Sequence, residues 1–471
     1  MADNTIRRSS TSITLREEPQ KDKDLKEKGK EMDEKGKVKG EEKGKEKAEQ
    51  LPGLLVTSNL KEVIDECRSQ VETIAKECRA NNTKFRDLDF DLLNDRWSCL
   101  IGLDWTVAPR YPSGVMRVTE VFDNPKFFKA DGAPSSDDIS QGGLGDCWFL
   151  CALATISNIP RLVHEVCVAR DEEVGVYGFV FYKDNGWVSV VIDESVHVLF
   201  IFGSADFPDP YITSRATIIN SNSLLCTNAP KWDELSKEEQ DLYSDREQFN
   251  NLTRKAGKNL TFAKSGAQGE TWVPLIEKAY AKFYGNYSYL QGGYPREAIE
   301  DLTGGVASLF MTTDILDRDK FWEEQLLKAN EDRLFSCYFP GLNGPDGEER
   351  SDIRVQGLYG NHAYSVLRAR ECNGKRFVVV RNPWGESEWT GPWSDGSKEW
   401  KGEWLKILPD LEHRFGDDGQ FVMEYSDFLD CFTHIDRTLL FDSSWTAQSK
   451  WLQVPVSADP IPWSYGNISC T

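Results

Sequence analysis

Residues 141–150, Gln-Gly-Gly-Leu-Gly-Asp-Cys-Trp-Phe-Leu, carry three glycines and an aspartate straight into an apolar run that continues to Ile156. Glycine frees the backbone for a turn, Asp146 is a side chain suited to capping a helix N-terminus, and Trp148 to Ile156 supplies the buried helix that follows. Cys147 then falls in the first helical turn. There the helix dipole and unpaired N–H groups favour a thiolate, which makes a nucleophile. A free cysteine is more commonly a small buried apolar residue, so the function of Cys147 rests on what the rest of the chain brings to it.

Two features point to chemistry. Gln141 lies six residues upstream across the glycine loop, where its amide can fold back and donate to an oxyanion forming beside the thiol. Far downstream, Gly360 to Val366 carries His362, and Phe377 to Gly385 carries Asn382 and Trp384. Both segments read as strands, and Asn373-Gly374 reads as the turn between them. A strict two-residue turn pairs 372 with 375 and sets His362 opposite Gly385. That leaves a three-residue offset from Asn382, about 10 Å, so a longer loop or a bulge is needed to bring His362 level with Asn382. Cysteine, histidine and asparagine in that order suit acyl transfer. His362 takes the proton from Cys147, Asn382 fixes the imidazole tautomer, and Trp384 shields their hydrogen bond from water. His164, His197, His413 and His434 have no such setting.

The chain resembles the calpain-type cysteine proteases in QGGLGDCWFL at 141–150, WVPLIEKAYAKFYGNYSYLQGG at 272–293, EDLTGG at 300–305, NHAYSV at 361–366 and RNPWGESEWTGPWSD at 381–395. The resemblance implies an α+β, two-lobed papain-like core, with a helical lobe carrying Cys147 and a β-rich lobe carrying His362 and Asn382. It also implies that the backbone of Gly293 lines the substrate cleft, although a plain turn explains those glycines equally well. Calcium is implied as a switch that draws the lobes together. One loop would use Glu388, Asp395 and Asp418, with Asp417 beside it, and the other Asp138 or Asp137 with Glu270. Three departures bear on this: Gln420 stands where the family usually has an acidic ligand, the segment before Asp138 is one residue longer, and Asn361 replaces the glycine before the histidine.

The organisation follows from composition. The first 50 residues hold 14 Lys/Arg and 13 Asp/Glu in short lysine-rich runs, so all of the acidic excess behind the net charge of −21 lies beyond them. Residues 1–54 read as a disordered charged tail, 55–84 as an amphipathic helix, 85–298 as the first lobe with a polar insertion at 202–259, 299–441 as the second lobe, and 442–471 as a C-terminal tail. The acidic balance argues against nucleic acid as a partner. No apolar run reaches the ~20 residues that span a bilayer, so no stable membrane insertion is expected. Eleven cysteines without paired spacing suit reduced thiols in the cytoplasm. The expectation is an intracellular, calcium-dependent endopeptidase acting on protein substrates, its regulatory partner unknown. The alternative is a catalytically silent scaffold on the same fold.

Overall fold

The computed structural model describes residues 52–103, 112, 114–122, 124–129, 133–184, 186–198, 237–240, 260–267, 269–343, 349–350, 354–442 and 445. The tail expected at 1–54 lies outside the described residues up to Leu51. Most of the insertion, apart from a helical turn at Lys237–Gln240, and nearly all of 442–471 also lie outside them.

The first lobe is built on helices. α1 (Leu60–Ala80) buries Cys67, Val71, Ala75 and Cys78, a spacing of four and three residues that makes one apolar stripe. α2 (Cys147–Ser157) is buried at every position from Trp148 to Ser157, as its unbroken apolar run requires. The α1 stripe packs with Val174, Val176 and Val191, on an antiparallel sheet of order β1-β2-β3: β1 (Cys167–Asp171), β2 (Val176–Lys183) and β3 (Gly186–Asp193). β2 and β3 pair as a hairpin closed at Lys183 and Gly186. α3 (Trp272–Tyr284) and α4 (Pro295–Thr303) complete this core with Trp272, Leu275, Ile276, Ala298, Ile299 and Leu302.

The second lobe is a six-stranded antiparallel sheet. Its strands are β4 (Val306–Met311), β5 (Arg333–Phe339), β6 (His362–Cys372), β7 (Lys375–Arg381), β8 (Gln420–Glu424) and β9 (His434–Leu439), in spatial order β8-β7-β6-β5-β9-β4. The run Phe377-Val378-Val379-Val380 is apolar at every position because both faces of β7 are covered. Phe377 and Val379 meet Trp393, Trp400 and Leu411 on one face. Val378 and Val380 join Trp322, Phe421 and Phe428 on the other.

α4 packs with the first lobe through Ala298, Ile299 and Leu302, also touches β4 and β9, and ends at Gly304, which takes the left-handed conformation (φ 70°). The Gly53 amide donates to the Phe441 carbonyl at 3.3 Å, and Leu54 and Leu55 are buried, which ties the segment before α1 to the end of the second lobe.

Candidate active site

The glycine loop ahead of α2 is held by backbone. Gly143 N donates to Thr261 O at 2.7 Å, and a Cβ on Gly142 would lie 2.0 Å from the Phe262 carbonyl oxygen, so no larger residue fits there. Gln141 Nε2 donates to Leu144 O at 2.7 Å. One amide hydrogen is thus used to orient the side chain while the second stays available. Trp148 Nε1 donates to Leu290 O at 2.7 Å and Gly292 N to Gly145 O at 2.9 Å. A Cβ on Gly293 would stand 2.5 Å from the Trp148 ring, so the 292–293 backbone lies directly against the nucleophile loop.

From the other lobe, β6 and β7 form a tight hairpin. Asn373 (φ 50°) and Gly374 (φ 75°) both take positive φ, the requirement of a two-residue hairpin turn, and Cys372 pairs with Lys375. The longer loop is absent and the bulge is present, at Leu367 between Val366 and Arg368. It shifts the register by one residue, so Ser365 faces Arg381. The remaining offset is spanned because the chain turns at once after Arg381, with Gly385 N donating back to Asn382 O at 3.0 Å. His362 Nε2 and Asn382 Oδ1 meet at 2.7 Å. The Asn382 amide nitrogen already donates to Glu386 O and Ser387 O, both at 2.9 Å, so its oxygen must accept. His362 therefore carries its proton on Nε2 and presents a lone pair on Nδ1. Trp384 packs its ring 4.5 Å from the imidazole and donates its backbone N–H to the same Asn382 oxygen at 3.1 Å. Asn361, in place of glycine, holds φ 53° and accepts from Gly341 N at 2.7 Å, a conformation that asparagine tolerates.

The two halves meet at the tip and first turns of α2. The Cys147 thiol is hydrogen-bonded to the backbone of Ala363, the neighbour of His362. One turn on, Ser365 Oγ donates to Cys151 O at 2.9 Å. Burial pushes the Cys147 thiol up to about 11, against its hydrogen bond to Ala363. Burial likewise lowers His362 to about 4, against the Asn382 bond that raises it. Desolvation thus opposes the thiolate that the helix position favours, and it opposes the imidazolium as well.

Sequence reasoning missed two supports. Arg381, nearly fully buried, donates to Asp418 O at 2.6 Å and to Ile139 O at 3.2 Å, fastening the second lobe to the first next to Asn382. Its place beside Asn382 was the one available signal, since an arginine at a strand end is ordinarily solvated. Tyr359 packs its ring 4.5 Å from Trp384, and nothing in its sequence context marks it.

The carboxylates named for calcium fall into two places. Asp138 and Glu270 meet side chain to side chain, and burial and mutual repulsion raise Glu270 to about 7. Glu270 Oε2 is buried without a donor among the described residues, which fits a hard cation. Burial, and after it repulsion from Asp395 and Asp418, raises Glu388 to about 7. There the oxygens are more fully engaged. Glu388 accepts from Asp418 N and Gly419 N at 3.0 and 2.9 Å, and Asp395 meets His413 Nε2 at 2.6 Å. Gln420, in the position of the missing acid, bonds His413 Nδ1 at 3.1 Å. Among the described residues, no group of three or more His, Cys, Asp or Glu side chains is arranged as a metal site.

A helical lobe with a thiol at a helix tip, closed by a β-sheet lobe that brings an imidazole and an amide, defines the papain-like α+β class. The family model for calpain family cysteine protease matches residues 109–206 and 250–438, with the break inside the expected insertion. Calpain-9 of Rattus norvegicus is 31% identical over 375 residues, covering 78% of this chain and 44% of the relative. A calpain of Schistosoma mansoni is 31% identical over 386 residues, covering 78% and 41%, and the calpain-1 catalytic subunit of Mus musculus is 30% identical over 386 residues, covering 78% and 43%. The chain belongs to the calpain family of cysteine proteases and spans less than half the length of these relatives.

Proposed function

We propose that the chain is an endopeptidase in which Cys147, His362 and Asn382 cleave peptide bonds through a thioester. The observation that carries this reading is the assigned tautomer: Asn382 accepts from His362 Nε2, leaving Nδ1 as base beside the strand residue that bonds the thiol. Cys147 Sγ attacks the carbonyl carbon as its proton passes to His362 Nδ1. The oxyanion takes the second Gln141 amide hydrogen and the Cys147 backbone N–H. The imidazolium then protonates the leaving amine, and water attacks the thioester with the imidazole again as base. An extended polypeptide substrate would lie along the backbone at Gly293, which stands directly against the nucleophile loop.

Calcium regulation is part of the same proposal. Asp138 and Glu270 would hold one ion, and Glu388, Asp395 and Asp418 another once Asp395 exchanges His413 for the cation. When bound, calcium supplies positive charge that offsets carboxylate repulsion near the lobe junction, where Arg381 already links Ile139 to Asp418. A cytoplasmic setting is supported by the nine described cysteines, all free thiols. Among the described residues no helix is long and apolar enough to cross a membrane.

The test is digestion of an unfolded protein by the full chain, with calcium titrated and Cys147→Ser as control. Calcium-stimulated cleavage lost in the serine variant is the expected result. Equal cleavage by both proteins, or none by either at any calcium level, defeats the reading and favours a scaffold.

A further inference from the structure

Asp146, the residue before the nucleophile, is completely buried, and no hydrogen-bond donor from another described residue reaches either of its carboxyl oxygens. What its side chain meets is the carboxyl of Glu277, on α3 and itself buried. Glu277 accepts the Ala263 amide on both oxygens at 3.0 Å. Lys278, the next residue, is committed to Asp193 at 2.5 Å and to Ser195 O at 2.9 Å. A hydrogen bond between two carboxyls requires a proton, and two buried carboxylates in contact cannot both ionise. We propose that Asp146 and Glu277 share a proton and that this pair positions the catalytic cysteine at the tip of α2. The inference rests on the proposed role of Cys147.

The placement gives the pair its leverage. Asp146 precedes α2 directly, and its carbonyl accepts from Phe149 N at 2.9 Å and Leu150 N at 3.1 Å, so a shift of this residue moves the Cys147 N–H and thiol together. Burial pushes Asp146 up to about 7 and Glu277 well above the usual carboxylate range, the latter raised further by Asp146. Other titratable groups face the pair from each packed element. Cys147 adjoins Asp146, His197 and Tyr287 line a small cavity with Glu277, and Cys99 and Asp193 lie beyond Tyr287. Losing the shared proton sets two like charges in contact behind the thiol and raises the cost of forming a thiolate there. Because these native pKa values lie above the unfolded ones, the pair stabilises the fold at low pH, and that contribution falls as pH rises through the native values.

Glu277→Gln keeps an acceptor for Ala263 and a donor for Asp146 but cannot deprotonate, so it mimics the singly protonated pair at every pH. Three measurements on the full chain test the proposal without requiring proteolysis. The infrared band of a protonated carboxyl at neutral pH should weaken in Glu277→Gln relative to wild type. The fall of Tm with rising pH, from about pH 6 to 9, should be shallower in Glu277→Gln. Alkylation of Cys147 by iodoacetamide, followed by mass spectrometry of its peptide, should drop about tenfold in Glu277→Ala, consistent with orphaning a buried polar group, and recover in Glu277→Gln. An unchanged infrared band in Glu277→Gln, or matching pH dependence of Tm and alkylation in wild type and Glu277→Gln, overturns the shared proton. Retained pair signatures in a chain that cleaves no substrate would instead count against the protease reading alone.

Discussion

Asn382→Ala removes the group that sets the His362 tautomer, and its effect can be worked from the structure. The side chain is fully buried and takes part in four hydrogen bonds: from His362 at 2.7 Å, from Trp384 N at 3.1 Å, and to Glu386 O and Ser387 O at 2.9 Å each. In the transition state His362 becomes imidazolium, so its bond to Asn382 turns charge-assisted, worth about 1.5–3 kcal/mol. At about 1.4 kcal/mol per tenfold, kcat/KM falls about 10- to 150-fold. The loss should appear in kcat with KM little changed, because Asn382 is hydrogen-bonded only within its own lobe among the described residues. Removing the bond also takes away the one influence that raises His362, so its pKa, already down at about 4, falls further. The acid limb of Cys147 alkylation then moves to lower pH. The assay is a fluorogenic peptide for kcat and KM, with alkylation of the Cys147 peptide as an independent readout. A variant that stays folded, keeps kcat/KM within about threefold and shows an unmoved acid limb would refute the assignment of His362 Nε2 to Asn382, since a charge-assisted bond cannot be lost so cheaply.

Gln141→Ala should lower kcat by about 10²–10³ if its free amide hydrogen serves the oxyanion; steady-state kinetics decides, and a loss below fivefold rejects that role. Gly293→Ala drives a methyl to 2.5 Å from the Trp148 ring, an overpacking that costs about 1–3 kcal/mol in chemical denaturation and displaces the nucleophile loop. Arg381→Met should weaken the junction of the lobes, seen as faster amide exchange at Ile139 and in the 416–419 loop; unaltered protection there would show the guanidinium to be dispensable. Asp301, which accepts from Tyr280 and Tyr284 hydroxyls at 2.7 Å each, is pushed up to about 7 by burial. Its native pKa exceeds the unfolded one, so the stability it adds is complete at acid pH and is lost as pH climbs to about 7. Asp301→Asn should remove up to about 1.4 kcal/mol per pH unit of that slope.

The Cys147 helix, the hairpin turn at Asn373-Gly374 and the nearness of His362 to Asn382 were legible because each is written in local chemistry: an apolar run after glycines, a turn dipeptide, alternating strands. The bulge at Leu367 was legible only as a need, since a one-residue insertion leaves no mark on composition. Ala298, Ile299 and Leu302 show in the sequence only that α4 has an apolar face, and which core that face joins is settled by tertiary packing. Tyr359 was invisible for the same reason, and Arg381 was marked only by its place beside Asn382. Their partners, Ile139, Asp418 and Trp384, lie up to 242 residues away along the chain.

The helix position and the seclusion of the site act on the charge of the nucleophile in opposite directions. A helix N-terminus contributes up to ~2 kcal/mol toward an anion in favourable geometry, whereas removing a thiolate from water costs more unless a cation stands beside it. His362 would be that cation, but its ring is equally desolvated, and Asn382 returns only one neutral acceptor. Neither partner can therefore charge without the other, and the proton transfer between them becomes a single event that opening the lobes, by rehydrating both groups, would favour. Cys147 alkylation measured against an osmolyte series supplies the check. Conditions that compact the protein should slow the reaction more than they slow a free thiol, and an equal response would place the thiolate in the resting enzyme after all.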